Sequence, residues 1–226
     1  MRKDLYDGYK SNRKRTLEMT DEEKQFRADL RQQLECLRTK MLRKMGFKNI
    51  CWQQDFEADD IIASICKDYY EEKEFIIVST DQDMYQLLDG DRVTIYNPMS
   101  KRSVTRESFE EQYEIEVEKW AKVKAIAGCT SDSIPGIKGV GEVGAIKYLN
   151  GVLKESTKAY EKIDSQLDLV AHNLRLIQLP FPGTFSFGLV RDLVTPENWN
   201  EGVKGMGMNT LVGRYPMYLK KKGMVR

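Results

Sequence analysis

The chain has 226 residues, of which 41% are hydrophobic and 31% charged, and this composition predicts a globular protein with a core. Its single histidine argues against a Ser-His-Asp hydrolase and against a zinc site built on several histidines. Four cysteines without a CxxC pair predict reduced thiols in a cytoplasmic protein, and no apolar run is long enough to predict a signal peptide or a membrane span.

Helical and strand patterns alternate in the first half of the chain. Thr20 and Glu23 form a capping box that opens a helix, and Gly46 ends it. The predicted elements that follow are a strand at 48–52, a helix from about residue 57, a buried parallel strand at 75–78, a short helix at 83–88, a strand at 92–96 and its hairpin partner at 101–104. This alternation predicts an α/β parallel sheet. Beyond residue 105 the chain is predicted to be mainly helical, with one helix at 159–179.

Acidic side chains concentrate between residues 53 and 91, and more basic segments flank them. Two acidic groups stand out in this region, Glu57, Asp59 and Asp60 before an apolar helix and Asp81 and Asp83 after the strand at 75–78, and Asp132 in a glycine-rich turn forms a third. Because the carboxyl ends of parallel strands meet at one edge of a sheet, we expect convergence there. Carboxylates suit Mg²⁺ or Mn²⁺, and two such ions can clamp a phosphodiester. The alternatives are capping of a helix and a turn, or ordinary solvated charge.

Several motifs resemble one enzyme family. FEADDIIA at 56–63 and STDQDMYQL at 79–87 resemble the 5′-nuclease family, which includes flap endonucleases, phage 5′ nucleases and the 5′–3′ exonuclease domain of DNA polymerase I. SIPGIKGVG at 133–141 resembles its helix–three-turn–helix DNA-binding element, expected at about 121–150. RKD at 2–4 with YKSNR at 9–13 resembles the segment leading into its helical arch. The resemblance covers about residues 1–180 in collinear order.

The resemblance implies a PIN-like nuclease core at residues 1–104 and a helical DNA-binding part at 105–226. It implies that two Mg²⁺ or Mn²⁺ ions are held by Asp4, Glu57, Asp59, Asp60, Asp81, Asp83 and Asp132. Lys10 and Arg13 are expected to steady the charge of the scissile phosphate, from their motif position. The expected substrate is branched or duplex DNA with a 5′ end or flap. The residues expected to bind it are Tyr9, Lys10, Arg13, Lys14, Arg15, Lys138, Gly139, Gly141 and Lys147, with a K⁺ ion at the helix–three-turn–helix.

Two features depart from the family's pattern. The family's first apolar strand, which ends in a metal-binding aspartate, has no counterpart before the segment at 2–4. The family's turn carries two aspartates, whereas Cys129 stands at the first of them here, and a thiol is a poor Mg²⁺ ligand. These departures leave open a truncated, catalytically impaired DNA-binding relative, or one subunit of a split nuclease completed by a separately encoded N-terminal piece. A PIN-type ribonuclease is a more remote alternative.

Overall fold

The computed structural model describes residues 1–13 and 19–215. The chain divides into two compact units: unit 1 comprises residues 1–14 and 52–187, and unit 2 comprises residues 15–51 and 188–226. The boundary predicted near residue 104 therefore lies inside unit 1 and does not separate the two units. No helix in the described part of the chain has the length and apolar character that a membrane crossing requires.

The helices of the described residues are mostly short. In chain order they are α1 (Arg2–Leu5), α2 (Asp21–Cys36), α3 (Leu42–Lys44), α4 (Ala58–Asp68), α5 (Arg106–Tyr113), α6 (Trp120–Ala127), α7 (Glu142–Leu149), α8 (Lys158–Asp164), α9 (Leu167–Ile177) and α10 (Pro196–Gly205). Short 3-10 helices cover Ser11–Arg13, Gln82–Leu87, Val117–Lys119, Thr130–Asp132 and Asn209–Leu211, and a π-helix covers Leu37–Met41. The single helix predicted at 159–179 is wrong: it breaks into α8 and α9 at Gln166, whose backbone leaves the helical region.

Unit 1 contains a three-stranded sheet in the order β1 (Phe75–Val78), β2 (Val93–Asn97), β3 (Arg102–Val104). β1 runs parallel to β2, and β3 is antiparallel to β2, which confirms the predicted hairpin. The strand predicted at 75–78 exists, but the prediction that it is buried is wrong. It is an edge strand, since no described strand pairs with its second edge, and Ile76 and Val78 point to one face of the sheet, where they are 70% and 65% exposed.

The main core of unit 1 packs the sheet against α5 and α6. Trp120, Phe109 and Ile95 are almost completely buried, and burying each such side chain contributes about 1.5–3 kcal/mol. The indole N–H of Trp120 donates to the Gln82 carbonyl at 2.8 Å. This bond fixes α6 against the turn that follows β1, and the acidic residues lie on that turn and beyond the end of α6.

Unit 2 contains α2, whose N-terminal capping box is confirmed, since Thr20 and Glu23 exchange both capping hydrogen bonds. The strand predicted at 48–52 is wrong, because this segment makes no β-ladder. Asp192 accepts from the backbone N–H of Lys48 at 2.6 Å, and the Asn49 amide donates to the Val190 carbonyl at 2.7 Å. Side chains therefore make the hydrogen bonds to backbone groups that a neighbouring strand would make if this segment were part of a sheet.

Candidate metal centre

Three separate elements of unit 1 bring acidic side chains together. Glu57 caps the N-terminus of α4, Asp81 caps the 3-10 helix after β1, and Asp132 ends the 3-10 helix after α6. The turn after α6 is folded back tightly by the pairing of β4 (Gly128–Cys129) with β5 (Ile134–Pro135). At Gly136 an added Cβ would lie 2.1 Å from the Ala127 carbonyl oxygen, so a side chain there would push the Asp132 turn out of place.

Glu57 and Asp132 are joined by two neighbouring residues from the N-terminal segment. The Lys10 ammonium lies 2.5 Å from Glu57 Oε2 and 3.4 Å from Asp132 Oδ1. The Tyr9 hydroxyl lies 3.1 Å from Glu57 Oε2 and 3.3 Å from Asp132 Oδ2, within donor distance of each. Burial and these two carboxylates raise the pKa of Tyr9, so its hydroxyl stays a neutral donor. The structure thus brings four of the predicted residues into one cluster.

A second group shares Asp132 and adds Asp83 and Cys129. One ligand atom from each of the three lies within 4.8 Å of the others. The Cys129 thiol donates to Asp83 Oδ2 at 3.3 Å, and burial, followed by the charge of Asp83, raises the pKa of this thiol to about 11. An open cavity of about 590 Å³ adjoins the group and is lined by Asp81, Asp83 and Cys129 among others. The arrangement can hold a divalent cation, with a protonated thiol in place of one oxygen ligand.

Burial and mutual repulsion act on the remaining carboxylates. Burial, followed by the charges of Asp81 and Glu57, raises the pKa of Asp59 to about 6, although Lys10 opposes this. Burial also raises the pKa of Asp83 above its ordinary value, with Lys124 opposing. Carboxylates held this close favour a cation among them, since a positive charge relieves both burial and repulsion.

Two of the predicted metal residues have other surroundings. Asp60 is fully buried, and Arg2 holds it in a forked ion pair with bonds of 2.6 and 2.7 Å. The same carboxylate accepts the backbone N–H groups of Phe181 at 2.9 Å and Glu57 at 3.1 Å. Because both of its oxygens already accept two hydrogen bonds, we remove Asp60 from the candidate ligands. Asp4 is 81% exposed, pairs with the N-terminal amine and lines a different cavity, so the structure does not bring it into the cluster.

The sequence analysis did not predict a role for three charged residues near the site, namely Arg2, Lys124 and Glu142. Arg2 pairs with Asp60, as described, and the Lys124 ammonium lies 3.6 Å from Asp83 Oδ1 and 3.1 Å from Glu142 Oε1. Burial lowers the pKa of Lys124, but the two carboxylates outweigh burial and raise it above its ordinary value. A lysine facing inward from α6 carries no distinguishing spacing in the sequence, so no motif could have indicated it.

The glycine-rich loop between β5 and α7 lies at the surface. Lys138, Gly139, Gly141 and Lys147 are all exposed, and Gly139 has a left-handed φ of +83° that favours glycine. The Lys162 ammonium donates to the Lys138 carbonyl at 2.9 Å. Backbone groups and two ammonium groups are therefore available here to a phosphate backbone.

The predicted basic cluster before α2 is only partly described. Tyr9 and Lys10 lie in the carboxylate cluster, and Arg13 ends the 3-10 helix Ser11–Arg13. Lys14 and Arg15 lie outside the described residues, so their predicted contacts with DNA stay predictions.

Comparisons with known proteins all point to one family. A family model described as "5′-3′ exonuclease, N-terminal resolvase-like domain" matches residues 1–114. A 5′-3′ exonuclease of Mycoplasmopsis pulmonis is 32% identical over 164 residues, which are 73% of this chain and 51% of that protein. DNA polymerase I of Deinococcus radiodurans is 32% identical over 207 residues, which are 84% of this chain and 20% of that protein. The chain thus spans about half of the first relative and about a fifth of the second.

Two solved structures that resemble this one are of bacteriophage T5 proteins. The T5 D15 protein co-crystallised with metal ions superimposes with a TM-score of 0.71 at 25% identity, over 79% of this chain and 71% of that chain. The T5 D15 flap endonuclease in a pseudo-enzyme-product complex with DNA and metal ions gives a TM-score of 0.68 at 25% identity, over 79% and 70% of the two chains. The α/β class predicted from the sequence is confirmed by this likeness.

Proposed function

This chain belongs to the family of 5′-3′ exonucleases with an N-terminal resolvase-like domain, and on that premise we propose that it is a structure-specific 5′ nuclease. The proposed reaction is hydrolysis of a DNA phosphodiester at or near a 5′ end or flap, leaving a 5′-phosphate. The observation that carries this proposal is that Asp132 joins two acidic groups from distant segments: it shares Tyr9 and Lys10 with Glu57, and it lies beside Asp83.

The residues of the pocket fit divalent cations of the Mg²⁺ or Mn²⁺ type. The proposed ligands are the carboxylates of Glu57, Asp59, Asp81, Asp83 and Asp132, which offer the hard oxygen donors that these ions prefer. When bound, two such ions supply a lowered pKa for the attacking water and positive charge at the leaving oxygen. Cys129 is the one poorly suited donor, and its sulfur lies within 4.8 Å of ligand oxygens of Asp83 and Asp132.

The chain's own residues then bind and orient the scissile phosphate. Lys10 comes from the N-terminal segment, and its ammonium lies at the cluster, so it can donate to a phosphate held beside Glu57 and Asp132. Arg13 follows one turn later in the chain and is proposed to donate to the same phosphate. Tyr9, 4% exposed, supplies a neutral hydroxyl that keeps Glu57 and Asp132 in place.

The proposed partner is branched or duplex DNA that carries a 5′ end or flap. Exposed Lys138 and Lys147, with Gly139 and Gly141, support non-specific binding of a duplex backbone. A K⁺ ion at this loop is part of the proposal, and Lys14 and Arg15 are proposed to contact the 5′ end. We place the protein in the cytoplasm, where its four free cysteines stay reduced.

A cleavage assay on a labelled 5′-flap duplex tests the proposal. Wild type with Mg²⁺ or Mn²⁺ is expected to release the flap, and EDTA is expected to abolish release. Asp83→Asn should lower the rate by more than the roughly 10–100-fold loss typical of residues that only support a ligand. Asp168→Asn, which removes an exposed carboxylate at the start of α9, is the matched control and should cleave as wild type does. Metal-independent cleavage, or equal rates for the two variants, would contradict the proposal.

One observation favours a second candidate function. Among the described strands β1 has an unpaired edge, which suits pairing with a further parallel strand, and its Ile76 and Val78 side chains are exposed on one face of the sheet. The alternative is therefore a DNA-binding relative that cleaves only when a separately encoded N-terminal piece completes the sheet. If this chain binds flap DNA without cleaving it, and cleavage appears on mixing with an apolar strand that ends in aspartate, the alternative is correct.

A further inference from the structure

The Lys10 ammonium links two carboxylates that the chain holds far apart in sequence. Its Nζ lies 2.5 Å from Glu57 Oε2 and 3.4 Å from Asp132 Oδ1, and only 14% of the side chain is exposed. Without a positive charge between them, Glu57 and Asp132 would repel each other. The ammonium therefore offsets the repulsion between these two proposed ligands, as a bound metal ion would.

The backbone of Lys10 is fixed independently of its side chain. Its N–H donates to the Asp132 carbonyl at 2.7 Å, and the Asn12 amide donates to the Thr130 carbonyl at 3.0 Å. The backbone N–H of Asn12 also donates to Ser133 Oγ at 3.2 Å. Lys10 has a left-handed φ of 53°, which is uncommon for a residue with a side chain and needs such support. This anchoring keeps the Lys10 Cα beside the pocket even when its flexible four-carbon stem swings.

We propose that Lys10 is an exchangeable internal cation. Its ammonium holds Glu57 and Asp132 together until a divalent ion displaces it, and the displaced ammonium then donates a hydrogen bond to the scissile phosphate. This inference rests on the proposed function, since it assigns a second task to the same site. A divalent ion on Glu57 or Asp132 would repel an ammonium only a few ångströms away. Because the backbone anchor stays in place, the released ammonium stays within one side-chain length of the carboxylates, beside which the phosphate is proposed to lie.

Exchange makes a prediction that a simple phosphate contact does not make. If Lys10 competes with the metal, removing its charge should strengthen metal binding when no DNA is present, while slowing cleavage when DNA is present. A residue that only contacts phosphate would slow cleavage and leave metal binding unchanged. A residue that only supports the ligands would weaken metal binding when removed.

The test titrates Mn²⁺ into DNA-free protein and measures free Mn²⁺ by its electron paramagnetic resonance signal. Lys10→Met is expected to bind Mn²⁺ about two- to fivefold more tightly than wild type, the effect of losing one ion pair whose glutamate is partly exposed. Lys10→Arg keeps the charge and should bind as wild type does. Lys154→Met is the control, because Lys154 is exposed and does not line the cavity beside the carboxylates. Equal or weaker binding by Lys10→Met overturns the inference alone, whereas a failure of wild type and Lys10→Met to bind any Mn²⁺ overturns the proposed function as well.

A second measurement uses the wild-type chain, so it does not depend on the folding of a variant. An amine-reactive acetylating reagent is applied with and without Mg²⁺, and the modified lysines are quantified by mass spectrometry. Saturating Mg²⁺ is expected to increase the acetylation rate of Lys10 several-fold, because displacement exposes its ammonium, while Lys154 stays unchanged. A Lys10 rate that does not respond to Mg²⁺ overturns the inference.

Discussion

Replacing Arg2 with methionine would remove the positive half of a buried ion pair. Arg2 is 7% exposed and Asp60 is fully buried, and the pair makes two parallel hydrogen bonds of 2.6 and 2.7 Å. The Arg2 Nε also donates to the Leu176 carbonyl at 2.7 Å, and its guanidinium lies 4.6 Å above the centre of the Phe181 ring. The substitution therefore leaves a buried carboxylate without its cation and a buried carbonyl without its donor.

The expected cost follows from these partners. Breaking one side of a buried ion pair typically costs about 3–5 kcal/mol. Asp60 keeps the N–H groups of Phe181 and Glu57, which places this case near the lower end, at about 3 kcal/mol. In a chain of this length each kcal/mol lowers the melting temperature by about 2–4 °C, so Arg2→Met should melt about 6–12 °C below wild type.

Thermal unfolding followed by circular dichroism measures this shift. Lys119→Met is the matched control, because it breaks the exposed 3.0 Å pair with Glu116 and should cost at most about 1 kcal/mol. If Arg2→Met melts within 2 °C of Lys119→Met, by the scale of about 2–4 °C per kcal/mol, the buried pair does not stabilise the fold as argued. Burial raises the pKa of Asp60, but Arg2 outweighs burial and holds that pKa below its ordinary value. The wild-type stabilisation from ionised Asp60 is therefore present above the ordinary aspartate pKa of about 3.9, and it is lost as pH falls below that.

Three further predictions concern the pocket and the DNA-binding loop. Cys129→Asp should lower the Mg²⁺ concentration for half-maximal flap cleavage by about tenfold, or 1.4 kcal/mol, whereas Cys129→Ser should not; an unchanged value in both would show that position 129 does not meet the metal. In EDTA, lowering the pH from 7 to 5 should raise the melting temperature, because the pKa of Asp59 is raised to about 6 in the fold and protonation of this side chain therefore stabilises the folded state. Asp59→Asn should reduce this rise, and an identical pH profile in the variant and wild type would refute the raised pKa of Asp59. Lys138→Ala with Lys147→Ala should weaken duplex binding at all sequences and reduce the salt slope by about 0.9 for each lost phosphate contact, as measured by fluorescence anisotropy; an unchanged slope would place the DNA elsewhere.

Two local sequence signals predicted their elements correctly. The capping box of Thr20 and Glu23 opens α2, and the hairpin of β2 and β3 forms where the alternation of apolar and turn residues placed it. Both features depend on residues close together in the chain, so their physics is contained in the sequence pattern. The predicted burial of β1 was wrong because it is not a local property: Ile76 and Val78 are buried only if a segment distant in the sequence covers them.

The composition of the pocket was predictable only in part. The acidic motifs identified Glu57, Asp83 and Asp132, and the structure brings these together. Lys10 was predicted at the site as a phosphate contact, but its pairing with Glu57, and that of Lys124 with Asp83, could not be predicted, because the partners are 47 and 41 positions apart and meet through the packing of whole elements. No sequence pattern around a lysine or arginine shows that its side chain pairs with a carboxylate far away in the chain.

Glu57 and Asp60 show why spacing alone cannot assign a metal ligand. The two residues are three positions apart at the start of α4, and the sequence analysis gave them the same role. The helix turns them to different surroundings: Glu57 meets Lys10 and Tyr9 at the pocket, whereas Asp60 points inward to Arg2 and caps the N–H of Glu57. Asp60 thus acts on the pocket through the backbone of Glu57. The main effect of Asp60→Asn should therefore be a lower melting temperature, with a smaller loss of metal affinity. Glu57→Gln should instead lower metal affinity with little loss of stability.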